Sequence, residues 1–211
     1  MGGTSRKWQV WLSGILAALV WGVAGGAERF APTDREIAML PPYCQAKLGS
    51  TPAHKAMRSV WEARLGRQVW VHLHHLCFAE VFVLRSWRAK ADRKLNFQRA
   101  YDNYTYVIER WPPSTPLLPA AYLGRGKVLL RQGDVAGGVR DLEQAIRLRP
   151  NYPPPYLALA AHYAHLGQYD QAVEVIERGL RHAPRSKALR RRLAEYRAKA
   201  DRSAAPSAAS R

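Results

Sequence analysis

A 34-residue period in the second half of the chain constrains the fold more than any other feature of its 211 residues. Displaced by that interval, Tyr122 falls on Tyr156, Gly133 on Gly167, Val139 on Val173, Arg147 on Arg181 and Pro150 on Pro184. Similar residues fill the gaps: Gly126 with Ala160, Leu142 with Ile176, Ile146 with Leu180. A repeat of this length is one supersecondary unit that cannot bury its apolar side alone, so successive units must stack and share a seam. A glycine midway through each unit suits a helix end that needs a left-handed backbone. A proline closes each unit, because the residue before it is driven out of the helical region. Small residues mark where ridges of one helix settle into grooves of the next.

The stretches PAAYLGRGKVLLRQGDVAGGVRDLEQAIRLRP and PPPYLALAAHYAHLGQYDQAVEVIERGLRHAP resemble the tetratricopeptide repeat family. The second keeps the family's small positions at Ala160, Ala172 and Gly179 and its large ones at Tyr156, Leu159, Tyr163 and Ile176. The first departs twice, with Arg125 where leucine is usual and Gly138 where alanine is usual, and both are expected to weaken its packing. The implied fold is all-α: a tetratricopeptide-like helical repeat solenoid with an extra N-terminal helical segment and a C-terminal capping helix.

The array is expected over 81–202, with repeats at 119–152 and 153–185. A degenerate repeat at 81–114 precedes them, its first helix spanning Val81 to Lys94 and its second placing Ala100, Tyr104, Val107 and Pro112 at family spacings. It has no turn glycine; Leu95 stands in that place. The capping helix is expected over 186–202, with Ser186 at its start and a stripe of Leu189, Leu193, Tyr196 and Ala200. Its arginines read as a solvated face, and 203–211 as a disordered tail.

The first 27 residues read as a signal peptide: Arg6 and Lys7, an apolar run from Trp8 to Ala24, then small residues to Ala27. A periplasmic or secreted bacterial protein follows. The alternative is an uncleaved inner-membrane anchor with the chain facing the periplasm, the one case in which membrane contact is expected. The formal charge of +17 comes from 33 basic residues, 25 of them arginine, against 16 acidic ones. Such a field favours anionic partners, and export removes nucleic acid from the candidates.

Residues 28–80 do not follow the repeat. Thr33 and Glu36 form a possible capping box, Thr51 and Pro52 a second helix start, and Gly66 a helix end. A long helix then begins at Gln68 and carries WVHLHHLCFAEVF. At about 100° per residue, His74 and Cys77 share one face, and His72 and His75 another. Three readings stay open: a Cys44–Cys77 disulfide, permitted by an oxidising compartment; buried histidines beside free thiols; or a metal or haem site on His72, His74, His75 and Cys77. One helix cannot converge all four on one metal, and the absence of Cys-x-x-Cys-His excludes a c-type haem. The combination of LPPYC, Trp61 and HLHHLC resembles the front segment of some proteobacterial tetratricopeptide proteins, which implies no activity.

Family register implies a concave face presenting Arg85, Arg93, Lys127, Arg131 and His165, a basic groove suited to a protein or peptide partner of acidic character. The setting expected is an envelope assembly such as a pilus, secretion or exopolysaccharide system, with Tyr101, Tyr104 and Tyr106 as candidate contact residues. No nucleophile motif, phosphate loop or paired carboxylates occur, so neither enzymatic activity nor a cofactor is expected. The chemical alternative is metal or haem handling by the histidine cluster.

Overall fold

The computed structural model describes residues 31–204. The expected signal peptide and the tail beyond residue 204 lie outside the described residues. Those residues form eleven helices and no strand.

Four short helices lead: α1 (Asp34–Ala38), α2 (Pro42–Leu48), α3 (Pro52–Ala56) and α4 (Arg58–Leu65). Thr51 caps α3 by accepting a hydrogen bond from the His54 amide at 3.2 Å, satisfying one of the amides a helix start leaves without a partner. Three antiparallel pairs follow: α5 (Arg67–Arg88) with α6 (Arg93–Arg110), α7 (Leu118–Gln132) with α8 (Val135–Leu148), and α9 (Pro153–His165) with α10 (Tyr169–His182). A single helix, α11 (Lys187–Ala204), closes the array against α10 and α9. It runs two residues past the expected end of the cap. The Ser186 hydroxyl accepts from the Leu189 amide at 3.3 Å.

The turns show why the period exists. Gly133 (φ 91°) and Gly167 (φ 76°) occupy the left-handed region that a side chain rarely adopts. Beyond each, the next amide reaches back to the preceding helix: Asp134 to the Leu129 carbonyl and Gln168 to the Tyr163 carbonyl, both at 3.0 Å. These bonds satisfy carbonyls that the helix end would leave bare. The Asp134 carboxylate then caps α8 by accepting from the Gly137 amide at 2.8 Å.

Two expectations about the first pair need correcting. Its first helix continues the long helix expected from Gln68 and ends at Arg88, short of the expected Lys94. It is the whole of Arg67–Arg88, so Val81 lies mid-helix. The turn falls at 89–92, and Leu95, expected at the turn, lies inside α6. Without a glycine, a wider turn replaces the tight one.

Arg125, expected to weaken its repeat, is paired across helices. Its guanidinium meets the Asp141 carboxylate twice, at 2.7 and 3.0 Å, and donates to the Thr105 hydroxyl at 3.2 Å. One side chain thus ties α7 to α8 and α6 in place of a leucine's apolar contact, through the paired geometry that makes such bonds strong. Gly138 is likewise used rather than lost. A Cβ there would sit 2.9 Å from the Gly126 carbonyl oxygen, so two glycines set the close approach of α7 and α8.

Buried apolar side chains form two clusters. One runs from Leu40 through α5 and α6 to Val128 of α7. The other runs from Leu142 of α8 to Tyr196 of α11. The Cys44–Cys77 disulfide joins α2 to α5 with both residues fully buried and their Cα atoms 5.4 Å apart. Glu36 of α1 pairs with Arg85 of α5 at 2.8 and 2.9 Å. The leading segment is therefore fastened to the array covalently and by charge.

Candidate functional site

The first helices of the three pairs, α5, α7 and α9, line one groove of about 700 Å³. Pro41, Tyr43 of α2, and Phe97 and Tyr104 of α6 also line it. The second helices α8 and α10 contribute nothing to its described lining.

The groove carries two cations, Lys127 and Arg131, together with histidines and aromatic rings. Lys127, Arg131, His162 and His165 stand along α7 and α9. Arg131 lies over the indole of Trp87, 4.7 Å from its centroid. Trp87 is 55% exposed, so a large apolar ring lies open to a partner where most such rings are covered. Burial, followed by the nearby His165, pulls His162 below the ordinary imidazole range.

Glu80 also lines the groove. The Tyr104 phenol donates to its Oε1 at 2.9 Å. Burial pushes the Glu80 carboxyl above the usual carboxylate range, opposed by the Tyr104 hydrogen bond and the charge of Lys127. The Tyr43, Tyr104 and Tyr152 phenols are all pushed upward by burial, then by the charge of Glu80. One carboxyl and three phenols thus cluster in the groove beside Lys127, with only Tyr104 of the four fully buried.

Of the residues expected in the groove, Lys127, Arg131 and His165 line it. Arg85 and Arg93 do not. Arg85 is engaged by Glu36, and the Arg93 Nε donates to the Ser86 carbonyl at 3.2 Å. Starting the first helix at Val81 put its register on the wrong face. The α5 residues that do line the groove are Glu80, Val83 and Trp87, at helical spacing on one stripe.

The histidine cluster does not converge. His72 Nδ1 lies 3.3 Å from the Tyr106 hydroxyl, His74 Nδ1 3.0 Å from the Val71 carbonyl, and His75 Nδ1 2.9 Å from Asn103 Oδ1. His75 stacks on Tyr106 with ring centroids 3.7 Å apart. Cys77 has no thiolate to offer, since its sulfur is bonded to Cys44. Among the described residues no group of three or more His, Cys, Asp or Glu side chains could hold a metal ion. The metal reading of His72, His74, His75 and Cys77 therefore does not fit the donors. Of the tyrosines that could serve either as contacts or as packing between repeats, Tyr104 is packed, 1% exposed, at the edge of the groove.

The tetratricopeptide repeat family matches residues 129–196. Over 97 residues, 46% of the chain, the sequence is 29% identical to Hsp70-Hsp90 organizing protein 2 of Arabidopsis thaliana. It is also 29% identical over 97 residues to Hsp70-Hsp90 organizing protein 1 of Glycine max. The chain spans only 16% of the length of these relatives. The fold is similar to that of a thermophilic TPR protein of Thermus thermophilus, with a TM-score of 0.55, 23% identity, and coverage of 74% of this chain and 80% of that one. The described residues thus form an all-α, tetratricopeptide-like helical solenoid, within which residues 129–196 match the tetratricopeptide repeat family itself.

Proposed function

We propose that the chain is an exported protein–protein interaction scaffold that holds an acidic segment of a partner in the groove of α5, α7 and α9. The observation that carries this is the row of Lys127, Arg131, His162 and His165 beside the open indole of Trp87. A peptide carboxylate gains charge-assisted bonds from Lys127 and Arg131, and an apolar side chain next to it gains the Trp87 face. The relatives named for organizing Hsp70 and Hsp90 support a protein as the class of ligand.

Charge reversal tests the groove. Lys127→Glu with Arg131→Glu should weaken binding of a fluorescent Asp/Glu-rich peptide at least tenfold. Wild-type binding should also weaken as salt is raised, because exposed charges are screened. An affinity that neither change alters would remove the groove as the site.

The export half rests on the signal pattern of residues 1–27 and on the Cys44–Cys77 pair, a bond that persists in oxidising compartments. The mature chain should begin at Glu28 in the periplasmic fraction. A full-length chain found only in the inner membrane would replace cleavage with anchoring. The proposed setting is an envelope assembly of pilus, secretion or exopolysaccharide type, and cross-linking in the native envelope should recover a component of one of them.

A further inference from the structure

Glu80 is the one carboxylate among the described residues lining the groove. An acidic ligand drawn to Lys127 and Arg131 of α7 would meet a like charge there. The groups that face Glu80 are Tyr43 from α2, Tyr104 from α6, Lys127 from α7 and Tyr152 ahead of α9. Tyr104 cannot turn away. Its ring is buried and lies directly over Gly124, where an added Cβ would come 2.2 Å from the ring carbon that bears the hydroxyl. Its hydroxyl therefore holds Oε1 as an acceptor, which leaves Oε2 to carry any proton.

We infer that an acidic peptide binds this groove together with one proton, taken from solvent onto Glu80 Oε2, so that a carboxylic acid and not a carboxylate faces the ligand. The inference rests on the acidic-ligand reading above. No bond to carbon forms or breaks: the proton adds to Oε2, and the O–H donates to a ligand oxygen beside the ammonium of Lys127. Burial already favours the neutral form, and a ligand carboxylate adds a like charge that favours it further.

The sign follows from linkage. A complex that holds more protons than its free components tightens as pH falls. His162, whose neutral form burial favours, can also take up a proton on binding, so a pH profile alone does not isolate Glu80. Glu80→Gln does. The amide oxygen can still accept from Tyr104, and the amide N–H₂ can still donate, which imitates the neutral acid at every pH.

The test titrates an Asp/Glu-rich peptide into the full chain by calorimetry at pH 7.5 and 5.5, in buffer pairs of different ionisation enthalpy that report protons taken up. The wild-type protein should take up more protons than the Glu80→Gln variant, by up to about one per site. Glu80→Gln should bind about tenfold tighter at pH 7.5, and its affinity should rise less towards pH 5.5. A His162→Gln/His165→Gln variant should keep the difference that Glu80 makes. If Glu80→Gln leaves both affinity and proton uptake unchanged, this inference fails while the groove reading stands. If Glu80→Gln abolishes binding, Glu80 acts as a counter-ion for a cationic ligand group and the inference is overturned. If the wild-type protein binds no acidic peptide at either pH, both readings fall. If Glu80→Gln does not fold, the buffer-pair measurement on the His162→Gln/His165→Gln protein still counts the proton of Glu80, and no uptake there overturns the inference.

Discussion

Substituting Gly124 by alanine should destabilise the protein, although it replaces the poorest helix former but proline with the best. Gly124 lies inside α7, where alanine alone would gain about 1 kcal/mol in helix propensity. The opposing term is steric. The new Cβ would lie 2.2, 2.4 and 2.5 Å from Cζ, Cε1 and the hydroxyl oxygen of Tyr104. Carbon atoms in good contact sit roughly 3.5–4.0 Å apart, so the ring must retreat by more than 1 Å. Tyr104 is only 1% exposed and has nowhere to go. Overpacking costs about 1–3 kcal/mol, and moving the hydroxyl off Glu80 costs about 1 kcal/mol more. The net loss is about 2 kcal/mol, or roughly 4–8 °C in Tm for a domain of this size. The assay is urea unfolding followed by circular dichroism, run as a double-mutant cycle with Tyr104→Ala. Without the ring, Gly124→Ala should stabilise by about 1 kcal/mol, giving a coupling of about 3 kcal/mol. A Gly124→Ala protein at least as stable as wild type would refute the placement of Tyr104 over α7.

Arg125→Leu, which restores the residue usual in the family, should destabilise by about 3 kcal/mol because it strands a buried carboxylate, whereas adding Asp141→Leu should recover most of that loss; two equal losses in urea unfolding would contradict the buried pair. Reducing the disulfide, or replacing both cysteines by serine, should cost about 3–4 kcal/mol for a closure spanning 33 residues, read as a Tm fall of about 10 °C; an unchanged melt under reductant would count against the bond. The raised Glu80 carboxyl stabilises the fold fully below its unfolded value of about 4.5, and that contribution is lost as pH rises through the folded value. Wild-type stability relative to Glu80→Gln should therefore decline between pH 4.5 and 7.5 in paired urea titrations; a constant difference would show that Glu80 titrates normally.

Local signals made the last two helix pairs legible. Gly133, Gly167, Pro150 and Pro184 act through the backbone of their own neighbours, so their effect can be read without knowing what packs where. The first pair lacked such punctuation. With no glycine at its turn, the repeat's first helix was expected to run from Val81 to Lys94, and the groove register fell on Arg85 and Arg93 in place of Glu80, Val83 and Trp87. The pairing of Arg125 was hidden for another reason. Its partner Asp141 lies on the next helix, and a pairing across helices leaves no mark within either segment. Lys127, Arg131 and His165 were legible because they sit in well-punctuated repeats. The Glu80–Tyr104 contact joins residues 24 apart on different helices; only the packed fold shows that it lines the site.

The measurement that tests the groove most directly is photo-crosslinking of an acidic peptide from single positions. A benzophenone side chain placed at Lys127 or Ala161 faces the groove, whereas one at Arg147 or Arg181 stands exposed on the second helices α8 and α10, outside the groove lining. Cross-links from 127 and 161 that an unlabelled peptide competes away, with none from 147 or 181, are the expected result. Equal labelling from all four positions, or labelling from 147 and 181 alone, would show that the basic surface attracts acidic chains without a groove that holds them.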